Sequence, residues 1–321
     1  MKRLVGKVIL LGLAVVFFFA SMVFIDLNVV GNQYLYNYQA SILDKVERLK
    51  SIKEPKIILV GNSNVSFGFD SELMEKELGM PVVNTGIHAG LGNAFQENLP
   101  KEYISEGDIV LICHNSYSDD SSIKDPGLAW ITIEKHRELL PILQRTDYRD
   151  MAQAYPIYAL NCAFLKITGR GNQHTDSCYD RDAFNEYGDI VYKPESERES
   201  VDYIFHEGTV KVPDISDTCA DRINEYNRYV KEKGATLLVT GYPIGSGKFT
   251  PDAKKFKAFQ NKLEKKLDCP IISDFTDFFI PYEYFYNTEL HLTPEGVRIR
   301  TMQTVNDLKR WMQMRERPGE R

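Results

Sequence analysis

The chain of 321 residues is 43% hydrophobic, enough to bury one substantial core with room for a large insertion. Its net charge is −6; setting aside Lys2, Arg3 and Lys7 leaves 36 basic against 45 acidic residues, so the remainder carries −9. An acidic body without a basic stripe argues against nucleic acid as a partner.

Val8 to Ile25 is 18 residues without a charge. At about 1.5 Å per residue this is roughly 27 Å of helix, close to the ~30 Å hydrocarbon core of a bilayer. A cleaved signal peptide is the competing reading. The run exceeds the usual ~7–15-residue apolar region, and no small-x-small pair closes it near Ala20. The expectation is a single-pass signal anchor over residues 1–27 in the cell membrane, with a cytoplasmic N-terminus and an extracytoplasmic body. Residues 28–54 read as a juxtamembrane segment, helical from Tyr34 to Lys50, holding the body off the membrane.

From residue 55 onward strands and helices alternate. Lys56–Val60, Pro81–Asn84, Asp108–Cys113, Ala235–Thr240 and Pro270–Asp274 read as five strands. Asp70–Leu78, Asn93–Tyr103, Cys219–Lys233, Phe256–Leu267 and Pro294–Met314 read as helices. Helices of this length between apolar strands predict parallel βαβ units and an α/β, doubly wound, five-stranded sheet. The interval from about Ser118 to Ser216 breaks the rhythm, with helical parts at Leu128–Leu143 and Tyr148–Leu165. It reads as a cap inserted after the third strand, either surface padding or a shaper of the substrate groove; ligands of open α/β sheets bind beyond the strands' carboxyl ends, which favours the groove.

Five cysteines (113, 162, 178, 219 and 269) leave at least one free or paired between chains; Cys162 and Cys178 are candidates for a bridge in an extracytoplasmic body. No Cys-x-x-Cys occurs, and His88, His114 and His206 lack ligand spacing, so no metal is expected. Gly241 to Lys248 superficially resembles a phosphate loop, but its glycines are misspaced and Phe249 replaces the required Ser/Thr. Asn64-Val65-Ser66 is a glycosylation triplet.

Two motifs carry chemistry. Gly61-Asn62-Ser63-Asn64 leads out of the first strand. This places a serine on an exposed perch whose following turn offers N–H groups to an oxyanion. The plain alternative is an ordinary strand-to-helix turn. His291 lies just before Thr293-Pro294, an N-cap with proline at the first helical position. Its plain alternative is a surface loop histidine.

Gly61-Asn62-Ser63, Asn84-Thr85-Gly86-Ile87-His88-Ala89-Gly90, His114-Asn115 and Asn287 through His291 resemble, in order, the four blocks of the SGNH (GDSL-type) hydrolase superfamily. The resemblance covers residues 56–116 and 235–312 and implies a flavodoxin-like fold needing no cofactor. It implies Ser63 as nucleophile beside Asn62, and His291 as general base. Its oxyanion hole would be the backbone N–H of Ser63, that of Ala89 or Gly90, and the Asn115 side chain. The family's aspartate, three or four residues before the histidine, falls on Thr288 and Asn287. Asn287 can orient an imidazole without carboxylate charge; Glu289 shares a face with His291 if the segment is extended, whereas in a helical turn Asn287 sits beside it. Asp274 and Asp277 are more distant candidates, and attenuated catalysis is the remaining option. By analogy with O-acetyl-modifying and D-alanine-transfer proteins, the resemblance implies an esterase or O-acyltransferase acting on a cell-envelope or exopolysaccharide glycan. The alternatives are a non-catalytic glycan-binding or assembly protein with a degenerate triad, and an anchored docking module using the insertion.

Overall fold

The computed structural model describes residues 2–118 and 122–316. Strands β1 (Ile57–Val60), β2 (Val82–Asn84), β3 (Ile109–Ile112) and β4 (Thr236–Val239) form an all-parallel sheet in the order β2-β1-β3-β4. Ile57 sits opposite both Val82 and Ile109, and Ile109 opposite Thr236. Side chains alternate between two covered faces, as a parallel sheet requires. Ile58, Val60, Val110, Ile112, Leu237 and Val239 pack with α9 (Asp217–Glu232) and α10 (Ala253–Lys266). Ile57, Leu59, Leu111 and Leu238 pack with α4 (Ser71–Leu78) and α11 (Pro294–Glu316). Asp70 caps α4 by accepting from Leu73 N, and Gly79 ends it in the left-handed region at φ 67°.

The sheet has four strands rather than the expected five. Pro270–Asp274 is reduced to one parallel bridge, Val239 to Ile271. The chain leaves the sheet there because its polar residues find other partners. Ser273 Oγ lies 2.8 Å from Thr240 Oγ1 and donates to Asp307, while Asp274 caps the 3-10 turn Phe275–Phe278. A second parallel sheet, β5 (Ile244–Ser246) with β6 (Phe279–Pro281), was not expected from the pattern. It turns the phosphate-loop look-alike into strand.

Helix α1 (Lys2–Ile25) runs on through a π-helical turn; Arg3–Val30 is the one segment among the described residues long and apolar enough to cross a membrane. The juxtamembrane segment is no spacer. Asn37 caps a 3-10 turn at Tyr38–Ala40, so α2 starts only at Ser41 and runs to Ser51, with Tyr38, Ile42, Val46 and Leu49 buried in the body. Buried Lys45 donates to Asn84 O at 3.0 Å and Gly188 O at 2.6 Å, tying α2 to the end of β2.

Residues 119–121, at the start of the insertion, lie outside the described residues. Beyond them come α6 (Pro126–Ile133) and α7 (Asp147–Thr168), with a 3-10 stretch at Arg137–Ile142 where the pattern predicted one continuous helix. Lys135, in the left-handed region at φ 61°, breaks it. All five cysteines are buried and no disulfide joins any of them among the described residues, so Cys162 and Cys178 do not bridge. Cys162 packs with Val30 and Tyr158; Cys178 lies beside Asn287.

Candidate active site

The serine turn is built from the end of β1. Gly61 is required by close approach: a Cβ there would sit 2.6 Å from Val65 Cγ2 and 3.2 Å from Cys113 O. Asn62 Oδ1 accepts from Asn64 N at 3.0 Å, capping the four-residue helix α3 (Ser63–Ser66) that begins at the serine. Asn64 is fully buried, its Nδ2 donating to Asn62 Oδ1 and Cys113 O. It is therefore no glycan acceptor. Arg300 of α11, also fully buried, donates to Asn64 O and, at 2.8 Å, to Asn64 Oδ1. Asn84 Nδ2 donates to Val65 O while its Oδ1 holds Gly86 N, which joins the second block to the first.

The histidine arrives from the opposite end of the chain. Tyr286 N donates to His291 O at 2.9 Å and His291 N bonds to Thr288, so residues 286–291 close a tight loop. Thr293 Oγ1 accepts from Gly296 N at the start of α11. Nε2 of His291 lies 3.0 Å from Ser63 Oγ, and its Nδ1 lies 2.8 Å from Asn287 Oδ1. The turn, rather than an extended segment, decides which side chain backs the imidazole. Glu289 is exposed and lines a crevice of about 160 Å³ with Asn115, Lys211 and Tyr242, away from Nδ1. Asp274 is engaged at Thr276 and Lys257.

Three donors were expected to face an oxyanion at the serine. The N–H groups of Ser63 and Ala89 have no acceptor among the described residues. Gly90 N–H is taken by His88 Nδ1 at 3.0 Å, which leaves Ala89 as the second backbone donor. Asn115 Oδ1 accepts from Asn62 Nδ2 at 2.6 Å, leaving the Asn115 amide N–H groups available. Asn62 thus both caps the serine turn and orients Asn115. Behind Asn115, buried His114 meets Glu97 at 2.9 Å and Arg222 meets the other Glu97 oxygen at 2.9 Å. Burial opposes ionisation of Glu97, but His114 and Arg222 outweigh it and hold the carboxyl down at about 2.

Several neighbours had no sequence signal. The Phe67 ring stacks on His291 with centroids 3.8 Å apart and planes 5° from parallel. From the insertion, Tyr179 OH accepts from Asn287 Nδ2 at 3.1 Å, and Lys193 Nζ donates to Phe67 O. Burial, then Lys193 and His88, pull His291 down to about 3; burial lowers Lys193 itself to about 8. No carboxylate touches the imidazole among the described residues. The arrangement can pass a proton from Ser63 to His291, with charge on the imidazolium stabilised by neutral groups only.

No family model matches the chain, and neither any curated protein nor any solved structure is significantly similar to it.

Proposed function

We propose that the protein is a membrane-anchored, SGNH-like serine esterase or O-acyltransferase acting on ester groups of a cell-envelope or exopolysaccharide glycan, its body extracytoplasmic. The observation that carries this reading is the continuous relay Ser63 Oγ, His291 Nε2, His291 Nδ1, Asn287 Oδ1, with contacts of 3.0 and 2.8 Å. The order β2-β1-β3-β4, extended by the bridge at Ile271, is consistent with a flavodoxin-like, five-stranded, doubly wound SGNH core.

In this mechanism Ser63 Oγ attacks the acyl carbon as His291 Nε2 takes its proton. The oxyanion accepts from Ser63 N–H, Ala89 N–H and the Asn115 amide. Collapse expels the alcohol, which receives the proton from His291. Water or a glycan hydroxyl, deprotonated by His291, then releases the acyl group from Ser63. A second reading, a glycan-binding protein with a disabled triad, is favoured by the neutral Asn287 and the depressed His291.

Fluorophosphonate labelling of the full chain in detergent, against Ser63→Ala, tests the proposal. Labelling of the native chain alone is expected. A folded native chain that stays unlabelled overturns the enzyme reading in favour of binding.

A further inference from the structure

Where the membrane-crossing helix meets the body there is a crevice of about 340 Å³. Val23 and Leu27, at the far end of the apolar segment, form one wall; Trp130, Leu140 and Ala152 of the insertion form the other. The size is that of a small-ligand site, and the walls are mainly apolar. The junction is clamped: Lys135 Nζ donates to Gly31 O at 2.6 Å and lies 3.5 Å from Asp26, which also accepts from Tyr155 OH at 2.9 Å. Asp26 Oδ1 has that ion pair as its polar contact and no hydrogen bond among the described residues. Arg137, at the crevice, is exposed and makes no ion pair among the described residues.

We infer that this crevice binds one anionic phospholipid of the leaflet on the body's side, an acyl chain between α1 and the insertion and the phosphate at Arg137. Three observations support that occupant. The crevice shares a wall with the segment that crosses the bilayer, and its depth, at the end of the apolar run, is that of the headgroup boundary. The cation without a partner sits where an apolar wall gives way to polar groups, as lipid phosphate recognition requires. Ile157, Leu160, Phe164 and Ile167, all exposed, carry an apolar stripe onward along α7. The inference rests on the anchoring part of the proposed function and is independent of Ser63.

The chain's two tryptophans make the test direct. Full chain carrying Trp311→Phe, with Trp130 as sole reporter, is reconstituted in phosphatidylcholine vesicles containing a minor fraction of acyl-brominated lipid. Brominated phosphatidylglycerol is expected to be roughly fivefold more effective than brominated phosphatidylcholine in quenching Trp130, and Arg137→Gln should remove that preference. Ala152→Phe, which fills the crevice, should reduce quenching by both. Equal quenching by the two lipids overturns the site, because it reports only nearby bulk bilayer. Absent quenching with Trp130 open to aqueous iodide, or shielded by a second copy in crosslinking, overturns it too. Release of the chain by alkaline carbonate overturns the anchor and the site together, whatever Ser63 labelling gives.

Discussion

The two halves of the candidate site are held by different means. The serine turn is fixed by a buried, charge-assisted network: Asn62 caps it, Arg300 holds Asn64, and Asn84 ties it to β2. The histidine loop is held by backbone bonds, one amide contact and the face of Phe67. Both halves are fixed in place, but only the serine turn has a formal charge, that of Arg300, among its hydrogen bonds. The difference teaches that a triad's shape and its electrostatics are separable. The Ser63, His291 and Asn287 side chains are arranged as a relay, while burial and Lys193 leave the imidazole poorly able to hold a proton.

The largest expected effect comes from supplying the missing charge. Asn287→Asp should raise kcat/KM for a small activated ester, with a ceiling of about 10⁴, since the reverse change in a serine triad costs that much. Tyr179 OH, now an acceptor from Asn287, would become the donor to Asp. An unchanged rate would show that Asn287 is not what limits the site.

On the other half, Asn115→Ala should lower kcat by about 10²–10³ with little change in KM, as loss of an oxyanion donor does. A rise in KM alone would make Asn115 a ground-state contact. Arg300→Met removes the buried partner of Asn64 and should cost about 3 kcal/mol in denaturant unfolding. A loss below a few tenths of that would show the serine turn to be self-sufficient.

The pH dependence separates the halves most finely. His291 is depressed to about 3 from an ordinary 6.5, so its contribution to stability is complete above about 6.5 and is lost as pH falls toward 3. Catalysis needs the neutral imidazole, so kcat/KM should show no acid limb near 6.5 in a pH–rate profile. Asn287→Asp should bring such a limb back toward neutral pH, because a carboxylate favours imidazolium. Lys193→Met should shift it in the same direction by less, burial being the larger cause. An ordinary limb near 6.5 in the native chain would show that the imidazole is solvated in solution.

Much of the sheet was legible because its strands are short apolar runs bounded by turn residues. Asp108–Cys113 became β3 within a residue at each end. The fifth strand was not legible as a bridge, because Ser273 and Asp274 satisfy the periodicity while their polar groups bond elsewhere. Ser63, His291 and Asn115 could be named from local motifs. Phe67, Lys193 and Tyr179 could not, since each reaches the site from a segment whose own pattern points to core or loop.

By itself the sequence determined the alternation of strand and helix, the apolar N-terminal segment, and two motifs, one carrying a serine and one a histidine. These are periodic or local properties, set by side-chain spacing and by turn and cap chemistry. Tertiary structure alone decided that Asn287 rather than Glu289 backs the imidazole, because a turn rather than an extended segment connects them. It also decided that α2 belongs to the core, that Cys162 and Cys178 do not bridge, and that Lys193 of the insertion adds to burial in lowering His291. Each depends on which distant surfaces meet when the core closes, and no local pattern encodes that.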